Sequence, residues 1–262
     1  MKFPSSANFV RRISREHRSR AFTLAELLAV VAMVILVALS LLPALAKVRP
    51  TSFQSICRNN LRQLGAAATM YLGDNGDVFP ACASRNTFGF QVSDWIYWRT
   101  SLPAYPVQNS LILAGLGKTS TNILRCAGDR DNSARIALAG SDPANGAYNL
   151  SYTITSFGVL NGRNIQGMSS IVDSFGGFYP FKSADIRHPS GKIVFAEEQS
   201  IYQGPEASST SIGILNDGRW IPQADILTSR HYGNANVGFG DGHVDTVNWR
   251  IGTYVTNSQA NL

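Results

Sequence analysis

Twenty consecutive residues, Leu27–Ala46, carry no charge and consist almost wholly of Leu, Val, Ala, Ile and Met. At about 1.5 Å per residue a helix of that length spans about 30 Å, the thickness of a bilayer's hydrocarbon core. No ordinary soluble domain needs such a run, so it predicts one membrane helix over 22–46. Its start is unusual. Glu26 stands at the entry to the apolar segment, where a simple anchor carries no charge. A carboxylate entering a membrane is costly and needs a partner. Pro43 falls in the last third of the run; lacking an N–H and crowding the preceding turn, it predicts a kink.

Charge sets the orientation. The chain has 262 residues and a net charge of +6. Residues 1–21 hold six of the 23 basic residues and one of the 17 acidic ones, a net of +5; the rest is close to neutral. The basic excess therefore belongs to a short leader, which holds the N-terminus on the cytoplasmic side. Without a basic stripe beyond it, nucleic-acid binding is not expected. A secretory signal has a shorter apolar region with its cleavage site behind it. Here the natural cut lies before the apolar run, between Ala21 and Phe22, and leaves the helix in the mature chain.

Beyond Lys47-Val48-Arg49-Pro50 the pattern becomes amphipathic. Phe53, Ile56, Cys57, Leu61, Leu64, Ala68, Tyr71 and Leu72 recur at steps of three and four, with Arg58, Asn59, Arg62 and Gln63 opposite. Gly73-Asp74-Asn75-Gly76 supplies a stop. The expectation is one helix of about fifty residues, its first half in membrane and its second half (47–76) docked on a domain. Residues 77–262 read as β and loop. Expected strands are 94–98, 149–155, 192–196, 235–239 and 243–248, the last two joined by a Gly240-Asp241-Gly242 turn. Segments 82–91, 116–147, 156–182 and 203–224 read as long loops. The fold class expected is α+β.

Three cysteines, Cys57, Cys82 and Cys126, allow one disulfide and one free thiol in an exported domain, in any of three pairings. Their spacing fits no zinc motif. His231, Asp241 and His243, with Glu197, Glu198 and Asp245, are numerous enough to suggest a metal or catalytic site. Against this, Asp241-Gly242 sits where a hairpin turn needs it, and His231 suits a bond to that turn or to the adjacent strand. No nucleophile elbow, P-loop or dinucleotide fingerprint is present. Trp95, Trp98, Trp220 and Trp249 suit core packing, or else a carbohydrate-binding face.

The stretch Ala21-Phe22-Thr23-Leu24-Ala25-Glu26-Leu27-Leu28 resembles the processing site of type IV prepilins and type II secretion pseudopilins. Ala21 stands where that family favours glycine. Counted from Phe22, Glu26 is the fifth residue and Pro43 the twenty-second, as in many pilins. Further on, Cys57-Arg58-Asn59-Asn60-Leu61-Arg62-Gln63-Leu64-Gly65, Leu124-Arg125-Cys126, His188-Pro189-Ser190 and His231 followed after nine residues by Asp241-Gly242 resemble a pilin-like group with a long C-terminal β domain.

The resemblance implies a pilin-like fold, with the long helix packed on an antiparallel β domain. It implies cleavage after Ala21 by a prepilin peptidase, N-methylation of Phe22, and pairing of Glu26 with the Phe22 amine of a neighbouring subunit. The partners implied are that peptidase, like subunits and inner-membrane assembly machinery. The location implied is a single-pass inner-membrane protein with its C-terminal domain outside the cytoplasm. Related pseudopilins bind calcium, for which Asp74, Asp77, Asp129 and Asp131 offer oxygens without a recognisable spacing; otherwise no cofactor is expected. The leading expectation is a non-enzymatic filament subunit. The alternatives are a membrane-anchored binding module, for instance for polysaccharide, and an anchored hydrolase using His231 and Asp241.

Overall fold

The computed structural model describes residues 23–117, 121–130, 132–160, 163–164, 167–200, 215–254 and 256; within 41–52, and at 134, 160, 163–164 and 253, it describes the backbone only. Ala21 and Phe22 lie outside the described residues, as do Asp131 and most of the 203–224 loop.

The chain divides into two compact units, Met1–Lys47 and Val48–Leu262. Helix α1 is Leu24–Asp74, 51 residues long. In the first unit its side chains over 24–40 are all exposed, including ten large apolar ones from Leu27 to Leu39. Pro43 lies within α1, but its side chain is outside the described residues. Among the described residues no helix is long and apolar enough to cross a membrane. Of the expected span, 22–46, Phe22 lies outside the described residues and 41–46 are described by backbone only.

In the second unit, α1 buries one stripe: Cys57, Leu61, Leu64, Ala67 and Ala68, none more than 5% exposed. Spacings of three and four put these on one face. Ile56, counted in the apolar pattern, is 45% exposed. The helix ends as its sequence requires. Asn75 and Asp77 donate backbone N–H groups to the Leu72 carbonyl at 3.2 and 2.9 Å, with Gly76 and Asp77 in the left-handed region.

Among the described residues two short α-helices follow, α2 (Leu111–Ala114) and α3 (Ser133–Ser141). The strands are β1 (Tyr152–Thr155), β2 (Val159–Leu160), β3 (Arg163–Asn164), β4 (Ile171–Val172), β5 (Phe178–Tyr179), β6 (Ile193–Glu197), β7 (Arg219–Trp220), β8 (Asn234–Phe239) and β9 (Val244–Asn248). The main sheet has the order β7-β1-β6-β8-β9; β2-β3 and β4-β5 are separate two-stranded pairs. Strands β1, β6, β8 and β9 are antiparallel, but β7 pairs with β1 in parallel, with Ile154 opposite Arg219. The sheet is therefore mixed rather than antiparallel.

Side-chain alternation sorts the sheet into two cores. Tyr152, Ile154 and Phe195 join Leu61 and Leu64 of α1 in one; Ala196, Trp220, Ala235 and Val237 form the other with Leu227. Along β6, Val194 and Phe195 both enter the first core, where strict alternation would separate them. An irregular register between Ile193 and Phe195 accounts for this: an offset residue shifts which face its successors point to.

Four of the five expected strands are present. Residues 94–98 are not one; Asp94 makes a single isolated bridge with Ala81. Side chains fix this loop instead. Asp94 accepts the Ala83 and Gln91 N–H groups, each at 2.9 Å, and the Trp95 and Trp98 indoles donate to the carbonyls of Gly218 (2.9 Å) and Ala83 (3.0 Å). Gly218 packs tightly there. A Cβ added to it would stand 2.7 Å from that of Ala83. Helix α3 lies inside the expected 116–147 loop, pinned by buried Arg135.

Candidate functional site

At the start of α1, Thr23 and Glu26 bond reciprocally. The Glu26 carboxylate accepts the Thr23 N–H and hydroxyl, both at 2.9 Å, and the Thr23 oxygen accepts the Glu26 N–H at 3.3 Å. This is a capping box, which satisfies backbone donors that the first turn leaves free. The Thr-x-x-Glu spacing was a readable signal for it. Glu26 thus has local hydrogen-bond donors, although neither carries a compensating charge.

In the second unit the six candidate ligands fall into separate places. Asp241 and His243 belong to the β8–β9 turn. The Asp241 carboxylate accepts from His243 N (3.1 Å) and Nδ1 (2.5 Å), and the His243 ring stacks on Phe239 with centroids 4.2 Å apart. Gly242 takes φ +88°, and its N–H donates to the Phe239 carbonyl at 3.0 Å. Slight burial works against ionising Asp241, but the bonds from His243 prevail and hold it below its ordinary range. Asp245 is exposed, 4.0 Å from Arg58.

His231 does not join the turn. It precedes β8 while Asp241 follows it, so six strand residues, about 20 Å, lie between them. Instead, His231 Nε2 lies 3.0 Å from Glu197 Oε1 on the neighbouring strand β6 and 3.5 Å from Cys126 Sγ. The other oxygen of Glu197 accepts from Asn236 N and Nδ2 at 3.1 and 2.9 Å. Arg230 reaches Glu197 Oε1 at 3.3 Å and Asp129 Oδ2 at 3.6 Å. Asp129 also pairs with Arg135, with its carboxylate accepting the Ser151 hydroxyl and that of Ser200 at 2.9 Å. The carboxylates of Glu197 and Asp129 are wholly buried.

Burial pushes both pKa values up. For Glu197 the His231 bond and the Arg230 charge outweigh it; for Asp129 the charges of Arg230 and Arg135 do. Both carboxylates end below their ordinary range and are ionised. Glu198, next in sequence, is the opposite case. Its burial, reinforced by the charges of Asp225 and Asp217, raises its pKa well above the ordinary value. Its Oε2 has no hydrogen-bond partner among the described residues.

Cys126 closes a disulfide with Cys57 of α1, and Cys82 is a buried free thiol. None of the expected calcium ligands converge among the described residues. Asp77 is taken up by Ser183 and the Ala184 N–H (3.1 Å), and Asp129 by its arginines. The tryptophans Trp95, Trp98 and Trp220 are core residues, at most 5% exposed. Tyr97, Trp98 and Tyr105, with Pro103 and Pro106, line a cavity of about 350 Å³.

Comparison with family models, with curated proteins and with solved structures finds no match.

Proposed function

We propose that the chain is a pilin-like structural subunit, cut between Ala21 and Phe22 by a prepilin peptidase, methylated at Phe22, and built through its N-terminal helix into a type IV pilus or type II secretion pseudopilus. One observation carries this reading. From Leu27 to Leu39, ten large apolar side chains of α1 are 46–68% exposed, with no protein cover among the described residues. An apolar surface on every side of a helix requires lipid or other helices around it. A filament subunit uses both in turn, the bilayer before assembly and its neighbours afterwards.

Glu26 fits the same reading. A carboxylate in an apolar filament core gains from a cation, and the Phe22 amine of the next subunit is one. Neither His231 nor Asp241 favours a hydrolase. The first is 2% exposed and bonded to Glu197 beside a disulfide, and the second belongs to a turn. The binding-module reading rests on the cavity lined by Tyr97, Trp98 and Tyr105. Two of these residues, Tyr97 and Trp98, are 7% or less exposed, and the guanidinium groups of Arg85 and Arg99 lie over the Trp98 ring at 4.8 and 4.6 Å, which leaves little ring surface for a sugar to stack on.

The test is a photo-crosslinker placed at Val34 or Leu36 in cells that express the assembly machinery. A ladder of like subunits is expected. Adducts to lipid alone, with the machinery active, would contradict the proposal.

A further inference from the structure

The grouping of Cys57, Cys126, His231 and Glu197 is not used by a filament role, and it goes beyond that reading. Each residue offers one ligand atom, and the four atoms lie within 4.8 Å of one another. All four residues are at least 98% buried. They come from four elements: α1, the segment after the Thr121–Leu124 turn, the segment before β8, and the end of β6. Two sulfurs, an imidazole nitrogen and a carboxylate oxygen form the borderline-soft donor set that zinc takes in tetrahedral sites.

Surrounding groups aim the donors. The Asn236 bonds hold Glu197 Oε2 and leave Oε1 facing His231. Arg230, the competing partner of Oε1, has a second carboxylate within reach in Asp129 at 3.6 Å. Access exists too. Cys126 lines an open cavity of about 430 Å³ together with Ile56, Asn60, Asn122, Arg125 and Asp129.

We infer that these four residues form a redox-conditional metal site: a disulfide when oxidised, a centre for a thiophilic divalent cation such as zinc when reduced. A dithiol reductant gives two electrons and two protons, breaks the Cys57–Cys126 bond and becomes a disulfide itself. Zinc then displaces the two thiol protons. The sulfurs must separate to about 3.8 Å, the edge set by Zn–S bonds of about 2.3 Å at a tetrahedral angle. His231 Nε2 and Glu197 Oε1 complete the set, so that one cross-link between α1 and the Cys126 segment replaces another. Such a site serves a domain that folds before it meets an oxidant.

The full chain in detergent is reduced anaerobically with dithiothreitol, freed of it by gel filtration, and titrated with Co²⁺ and then Zn²⁺. One Co²⁺ per chain is expected, with thiolate charge-transfer and tetrahedral d–d absorption displaced by Zn²⁺. Zn²⁺ should raise the Tm of the reduced chain, because a ligand that binds only the folded state stabilises it. The oxidised chain and the Cys57→Ser, Cys126→Ser double variant should show neither effect. His231→Gln, its fold checked in the oxidised state, should weaken Co²⁺ binding at least about tenfold, since even an outer-shell partner is worth that much. Glu197→Gln serves the same comparison if His231→Gln does not fold. No charge-transfer band, no rise in Tm, or wild-type affinity in the ligand variant overturns the inference.

Discussion

His231 Nε2 lies 3.0 Å from Glu197 Oε1, and neither side chain is more than 1% exposed. Thirty-four residues separate them in sequence, and the antiparallel pairing of β6 with β8 brings them together. With Arg230 and Asp129 they make a buried charge network whose members compensate one another. Removing one partner strands the others. Arg230→Ala leaves two buried carboxylates short of a charge, which should cost about 3–5 kcal/mol. His231→Ala removes a bond rather than the main charge and should cost about 1–3 kcal/mol. Urea unfolding of the full chain in detergent measures both; unchanged midpoints would contradict the network's structural role.

The same carboxylates set the pH dependence. Asp129 and Glu197 are held below their ordinary values, so their contribution is present above about pH 4 and lost as pH falls through the folded values. Burial raises Asp94 and Asp225 to about 7 and Glu198 well above its ordinary value. For these the sign is reversed. Their contribution is present below about pH 4 and is lost as pH rises toward 7, because unfolding then releases a proton. The melting temperature should therefore peak near pH 4–5. Glu198→Gln, which has no proton to release, should raise Tm at pH 7 and flatten that limb. A Tm that climbs steadily from pH 5 to 7 would contradict these assignments.

The disulfide closes a separation of 69 residues. By loop entropy it is worth about 4 kcal/mol, which the Cys57→Ala, Cys126→Ala double variant should lose. Cys82 should behave otherwise. Burial pushes its thiol up to about 12, so iodoacetamide should label it only after denaturation. Fast labelling of the native, non-reduced chain would mean a different pairing.

Several of these relationships could not be read from the sequence. The helix over 24–74 and the β8–β9 hairpin were legible because period and turn chemistry act locally. The loop at 94–98 reads as a strand because its aromatic residues carry high β-propensity, whereas Asp94, Trp95 and Trp98 bond to backbone groups that the fold brings near. Helix α3 spans nine residues, with Ile136 64% exposed, and offers too short a pattern. Strand β7 is a two-residue parallel edge. The partners of His231 and the choice among three cysteine pairings depend on strand order and helix docking, which spacing does not encode. The Thr23–Glu26 capping box, by contrast, is a local motif that the Thr-x-x-Glu spacing encodes.

That capping box separates two roles of Glu26. Glutamine also completes a capping box, so Glu26→Gln should keep the helix start while removing the charge. Assembly should fall sharply while helicity by circular dichroism stays unchanged. Thr23→Ala should instead cost about 1 kcal/mol of helix stability and leave the charge in place. If Glu26→Gln assembles as well as the wild type, capping is the residue's whole contribution.

The filament proposal stands most directly on what happens at Ala21 and Phe22, and the mass of the N-terminal peptide from protein extracted from cells decides it. A mature chain beginning at N-methyl-Phe22 is the expected result. A chain that still begins at Met1, in cells with an active prepilin peptidase, would contradict it.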